Sequence, residues 1–392
     1  MVPSGWKKAE LGEYIVEHRK KSTTQDEYDV FTSSRKGLVL QSEYFSGSRL
    51  AARDNIGYNI LPDNHITYRS RSDDGIFVFN INKTGSTGII SHFYPVFKIQ
   101  NGDIGFFLEL LNSYRRKIGA FSVGTSQTVL SMNALKKVKL NIPPLPEQKK
   151  IARILSTWDK AIETVDKLIE NSQQQKKALM QQLLTGKKRL PGFSGEWKKV
   201  RLLEMANITM GSSPKSEAYN ADQQGLPLIQ GNADISNRKS NPRVYTSQIT
   251  KTCKPNDILI SVRAPVGEIA ISQHEACIGR GIAAITPKKP FSHSFVFQQM
   301  LFLEPRWGKY SQGSTFEAIN SKELRQVSIN APRDTNEQNA IGRILSIYDN
   351  EIEKLSLLQT QTVTEKQALM QQLLTGKRRV QVDGDRSPAQ VG

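Results

Sequence analysis

The side chains in this chain that are equipped for chemistry are mostly cations. Lys and Arg number 54 against 37 Asp and Glu, a formal net charge of +17, and that excess calls for an acidic partner. The cations gather in segments of loop composition: Arg69 and Arg71; Arg115, Arg116 and Lys117; Lys215; Arg238, Lys239 and Arg243; Arg263 and Arg280. Lys and Arg supply the salt-dependent attraction to phosphate, whereas reading bases takes bidentate Arg, Asn or Gln at a groove edge. These residues are the candidate DNA contacts, and each also fits a plain solvated basic surface. Tyr44, Tyr58, Tyr68 and Tyr245 lie near them at spacings better suited to packing than to base stacking.

No catalytic constellation accompanies the cations. Gly211, Ser212, Ser213, Pro214, Lys215 and Ser216 have the wrong spacing for a phosphate-cradling loop, with a proline where backbone donors are needed. The five histidines are scattered, without the paired spacing that holds zinc, so no metal site is expected. Asn141, Ile142, Pro143 and Pro144 lack the aromatic of an adenine-methyltransferase signature and read as a strand end and helix stop. A glycine turn for S-adenosylmethionine and a nuclease-type carboxylate pair are also missing, which leaves binding as the default. Cys253 and Cys277 suit buried structural thiols. With no apolar run of membrane-spanning length and no signal-type N-terminus, a cytoplasmic protein is expected.

The elements that must position these residues come from an internal repeat. Residues 177–187 read KALMQQLLTGK and residues 367–377 read QALMQQLLTGK, identical at ten of eleven positions, and the same offset of 190 aligns EQKKIARILSTWD from Glu147 with EQNAIGRILSIYD from Glu337. Within each copy the apolar residues follow alternating steps of four and three, as in a coiled-coil seam: Ile151, Leu155, Trp158, Ile162, Val165, Ile169, Leu179 and Leu183, then Ile341, Leu345, Tyr348, Ile352, Leu355, Leu369 and Leu373. Polar residues loosen the middle of both seams, Ser172 and Lys176 in the first, Gln359, Thr362 and Lys366 in the second. Pro143, Pro144 and Pro146 are expected to stop any helix before Glu147, and Gly186 and Gly376 to cap the far ends. Helices of about 39 residues would each be roughly 58 Å long. An antiparallel intramolecular pair buries both seams and would hold the variable blocks apart. A parallel homodimer competes, but two helices on one chain have the advantage of effective concentration. The basic runs Lys187, Lys188, Arg189 and Lys377, Arg378, Arg379 suit a helix C-terminus through its dipole, or else a partner or phosphate.

The blocks between the helices carry short β-branched runs punctuated by Gly, Asn, Asp and Pro. Strands are expected at 75–80, 94–99, 258–262, 268–272 and 282–286, helices at 106–118 and 294–310. The expected fold is α+β: two variable domains with mixed sheet and helices, separated by two long helices in an antiparallel coiled coil with approximate internal two-fold symmetry. The divisions fall at 1–146, 147–190, 191–336 and 337–379, with a disordered tail over 380–392.

The chain closely resembles the DNA-specificity subunits of type I restriction-modification systems, on PPLPEQKKIARILSTWD, KALMQQLLTGKKRLPGF, their second copies, DILISVRAPVGEIAISQHEACIGRGIAAI from Asp257, and QGSTFEAINSKELRQVSI. That resemblance implies two target-recognition domains reading the halves of an interrupted, asymmetric sequence in double-stranded DNA, with the helices as a ruler. It adds Ser314 and Thr315 to the candidate DNA contacts; the matching run from Gly124 is looser. It further implies docking of two copies of a methyltransferase subunit carrying S-adenosylmethionine, and of motor-nuclease restriction subunits using ATP and Mg2+. No cofactor or catalysis is expected in this chain itself, and no membrane. The rival reading is a basic coiled-coil scaffold or regulatory protein that binds nucleic acid without sequence preference.

Overall fold

The fold was described from a computed structural model, which covers residues 2–44, 54–307 and 318–382. Its longest described helices are α1 (Ile104–Ser113), α2 (Leu145–Leu183), α3 (His293–Leu303) and α4 (Thr335–Leu373). Two compact units result, one from Met1–Val165 with Leu358–Gly392, the other from Asp166–Leu357, so each unit takes part of α2 and part of α4. The expected Ser314 and Thr315, and residues 383–392 of the expected tail, lie outside the described residues.

In the first unit, Lys7–Glu10 pairs antiparallel with Lys139–Ile142, the strand that leads into α2. One four-stranded sheet runs in the order Ile15–His18, Val96–Ile99, Ile66–Tyr68, Phe79–Ile81; a second runs Gly37–Leu40, Val30–Ser34, Gly88–Ile90, Asn59–Leu61. The strand expected at 75–80 begins only at Phe79, because residues 73–75 make a bend. The expected 106–118 helix starts earlier, at Ile104 behind the capping carboxylate of Asp103, and stops at Ser113; a short helix, Arg115–Gly119, follows.

The second unit repeats the plan with larger sheets. Trp197–Arg201 pairs with Ser328–Pro332, the strand preceding α4. A six-stranded sheet places Ile258–Ser261, buried along its whole length, between Ile282–Pro287 and Ile269–Ile271. A continuous apolar run is what a strand covered on both faces requires. Cys253 and Cys277 are buried in this unit, and burial pushes the Cys253 thiol up.

Both long helices have 39 residues. α2 starts at Leu145 with Pro146 inside its first turn, two residues before the start expected at Glu147. A first-turn proline is tolerated because its missing N–H would have no helical acceptor there. Gly186 and Gly376 adopt φ +73° and +71° beyond the last turns, the left-handed conformation that ends a helix without a Cβ penalty. In the first unit Ile151 and Leu155 of α2 share a core with Leu369, Leu373 and Leu374 of α4. In the second, Leu179 and Leu183 share one with Ile341 and Leu345. Each fully buried leucine or isoleucine contributes about 2 kcal/mol by leaving water.

Candidate nucleic-acid interface

What holds the repeat motifs together is a set of polar contacts made twice. Glu147, buried at the start of α2, accepts from Arg379 Nε and Nη2 at 2.8 Å and from Trp6 Nε1 at 3.0 Å. In the second unit Glu337 accepts from Arg189 at 2.6 and 2.7 Å and from Trp197 Nε1 at 3.4 Å. The next residue works the same way in both. Gln148 accepts from the Asp103 N–H before α1 and donates to the Pro143 carbonyl; Gln338 accepts from Ser292 N–H before α3 and donates to the Pro332 carbonyl. The duplicated Glu-Gln pair thus fastens each long helix to a β-pair and to a shorter helix. Arg189 and Arg379, which sequence offered as phosphate or partner contacts, face these carboxylates instead.

The loosened seam centres are also paired. In the first unit Lys366 of α4 reaches Asp159 of α2 at 2.6 Å and Glu109 of α1 at 3.3 Å. In the second, Lys176 of α2 reaches Asp349 of α4 at 2.5 Å, and Asp349 also accepts from Gln298 of α3 at 2.6 Å. Together with the shared cores, these pairs show that the helix segments run antiparallel in each unit. The expected seam residues are all buried or half-buried: Ile151, Leu155, Val165, Leu183, Ile341, Leu345 and Leu373 buried, and Trp158, Ile162, Ile169, Leu179, Tyr348, Ile352, Leu355 and Leu369 half-buried.

With those elements placed, each unit presents a concavity that gathers some of the candidate cations. In the first unit an open groove of about 900 Å³ brings Arg69 and Arg71 together with Arg35, Tyr44, Tyr58 and Gln127. Arg71 lies 4.3 Å above the Phe93 ring. Arg35 pairs with Asp74 at 2.6 Å, and this guanidinium, with the Ser72 hydroxyl and the Ile76 N–H, lowers the Asp74 carboxyl to about 2. Tyr68 is fully buried and donates to the Leu130 carbonyl, so it packs, whereas Tyr44 and Tyr58 line the groove. Arg115, Arg116 and Lys117 stay exposed on their own short helix, with Lys117 reaching the Lys139 carbonyl.

In the second unit a concavity of about 500 Å³ collects Arg263 and Arg280 with Gln230, Asn232, Ser213 and Tyr219. Lys215 is exposed between the lining residues Pro214 and Ser216. The other expected cations are engaged by acids: Arg238 by Glu304, Lys239 by Glu353, Arg243 by the buried Asp234 at 3.0 Å. Among the described residues no ion pair holds Arg263 or Arg280. Sequence reasoning overlooked Arg35, Gln230 and Asn232. No local signal marks them, since strands distant in sequence carry them to the site. It also overlooked Glu147 and Glu337 as anchors, although the repeated Glu-Gln and the repeated arginine were visible signals.

Fold and site define a duplicated α+β protein with a polar, cation-lined concavity in each unit. The chain belongs to the family of the type I restriction modification DNA specificity domain, which matches residues 3–171 and again 194–360. It is 37% identical over 267 residues to a Methanocaldococcus jannaschii protein assigned as the MjaX type I restriction enzyme specificity subunit, covering 65% of this chain and 63% of that relative. It is 24% identical to the MjaVIII specificity subunit of the same organism over 97% of this chain and 94% of the relative. Two solved structures share the fold. A chain from work on complex assembly and conformational transition of the type I R-M system has TM-score 0.59 at 25% identity, covering 96% of this chain and 100% of that one. The S subunit from M. genitalium has TM-score 0.66 at 16% identity, covering 95% and 99%. Membership makes this a DNA specificity subunit, the non-catalytic component of such systems.

Proposed function

We propose that the chain reads a bipartite, asymmetric target in double-stranded DNA, one half-site per variable block (1–146 and 191–336), with 147–190 and 337–379 as spacer helices. The observation that carries this is the duplicated frame with unlike linings: arginines and tyrosines in one concavity, paired arginines with amides in the other. A common frame with different reading surfaces suits two different half-sites. Arg69, Arg71, Lys215, Arg263 and Arg280 are the contacts this reading favours. Arg115, Arg116 and Lys117 supply peripheral phosphate attraction, and Arg238, Lys239 and Arg243 shape the second unit through their acidic partners.

The spacer helices dock two copies of a methyltransferase subunit, which brings S-adenosylmethionine, and restriction subunits with ATP and Mg2+ complete the nuclease. Supporting this, α2 exposes Leu168 and α4 exposes Leu358, at 46% and 47%, positions related by the repeat offset of 190. Equivalent apolar residues at equivalent positions fit two copies of one partner. The test is to co-express the chain with the methyltransferase subunit of its gene neighbourhood and map modified adenines by long-read sequencing. One interrupted, asymmetric motif modified on both strands, and lost when the chain is omitted, is expected. Modification or binding indifferent to sequence would favour the basic scaffold.

A further inference from the structure

The paired arginines of the second unit have a geometry that assigns them a target. Ser261 faces Ile282 across the central strand pair, and Val262 N–H donates to the Gly281 carbonyl at 2.9 Å. Arg263, bridged to Ala318, and Arg280, in the turn that leads into Ile282, therefore both lie just beyond the ends of this strand pair and line the same concavity. Two guanidiniums lining one concavity repel each other unless an anion or a strong acceptor lies between them. Arg238, Lys239 and Arg243 each have a carboxylate; these two have none among the described residues.

The backbone under Arg280 is held from several directions. Its N–H donates to Ser213 Oγ at 3.1 Å, Gly279 N–H donates to the Ile229 carbonyl at 2.8 Å, and Ile282 N–H closes the turn onto the Gly279 carbonyl at 3.0 Å. A Cβ on Gly281 would sit 2.2 Å from the Gln230 carbonyl oxygen, so only glycine permits this approach. Beside it Gly231 has open space where a side chain would be, which leaves the floor between Gln230 and Asn232 clear. An arginine carried on a fixed backbone at a concavity, flanked by neutral amides, is arranged for base edges. Phosphate needs only an exposed charge such as Lys215 offers. The Arg fork matches guanine N7 and O6, and Asn or Gln matches adenine N6 and N7.

We propose that Arg263 and Arg280 are the base-reading residues of the second unit, and that its half-site contains a guanine gripped on N7 and O6 by Arg280. This rests on the DNA-reading function above. The complex with its methyltransferase subunit should be titrated, at several salt concentrations, against duplexes carrying every single base-pair change in the mapped motif. Arg280→Ala should lose discrimination at one G·C pair of one half-site, by roughly 5- to 150-fold, while the other half-site is read as before and so reports an intact protein. Arg263→Ala should relax the same half-site. Lys215→Ala should weaken all duplexes alike and lower the salt slope by about 1. A uniform loss with a shallower salt slope for Arg280→Ala, no loss, or a half-site without guanine would overturn the assignment. Wild-type complex that prefers no sequence would instead overturn the reading on which it rests.

Discussion

At the scale of single residues, the buried carboxylates at the helix starts carry the sharpest consequences. Arg379→Ala strands Glu147, which is buried, with Trp6 as its remaining partner in this cluster. A loss of about 2 kcal/mol is expected in urea unfolding, since the arginine is itself partly exposed and hydrogen bonds to a charged group are of that order. Combining Arg379→Ala with Glu147→Gln should recover part of the loss; a strictly additive double variant would show that the pair is not coupled. Glu109 is a second case. Burial raises its carboxyl pKa, with Asp159 adding to the rise and Lys366 opposing it. A carboxyl that binds its proton more tightly when folded opposes folding as it ionises. Stability should therefore decline as pH climbs from the ordinary carboxylate range through the raised folded value. Glu109→Gln should flatten that decline in urea midpoints taken across acidic to neutral pH, and an unchanged slope would refute the assignment. Gln298 already fills the corresponding role beside Asp349 in the second unit.

At the scale of elements, the long helices act through their ends as much as their seams. Leu155 and Leu345 are fully buried in the cores of the first and second units respectively. Either one changed to alanine should cost about 3 kcal/mol, the transfer term plus the cavity left behind. Leu168→Asp with Leu358→Asp should leave unfolding unchanged, because both side chains face solvent, yet abolish assembly with the methyltransferase subunit on gel filtration. Retained assembly would remove the docking role from that face. The seam periodicity of these helices was fully legible, because a seam is a local pattern that side-chain spacing records directly. Their first turns were less so: Pro146 reads as a breaker, but helix geometry admits proline where no N–H is wanted. The expected strand at 75–80 began late for a similar reason, since the bend at 73–75 depends on where Ser72 and Asp74 hydrogen-bond.

At the scale of the whole molecule, the duplication, the α+β class, the two long helices and the basic excess all follow from composition, periodicity and a constant offset. Those properties are local or additive along the chain. Which cations meet is a different kind of property. Arg238, Lys239 and Arg243 look as available in sequence as Arg263 and Arg280, and only folding sets Glu304, Glu353 and Asp234 against the first three. Inserting four residues near Gln174 should lengthen α2 by roughly 6 Å and widen the gap between half-sites without changing their bases, measured by methylation mapping. An unchanged gap would end the spacer role. The membership of each unit was likewise hidden. A periodic seam declares that a helix has a partner, but which stretch of which helix joins which core depends on the antiparallel pairing and on arginines 232 residues along the chain from the glutamate they hold in one unit and 148 in the other. Spacing along the chain encodes helices; proximity across it, where charges cancel or remain to meet a ligand, exists only after the backbone has closed.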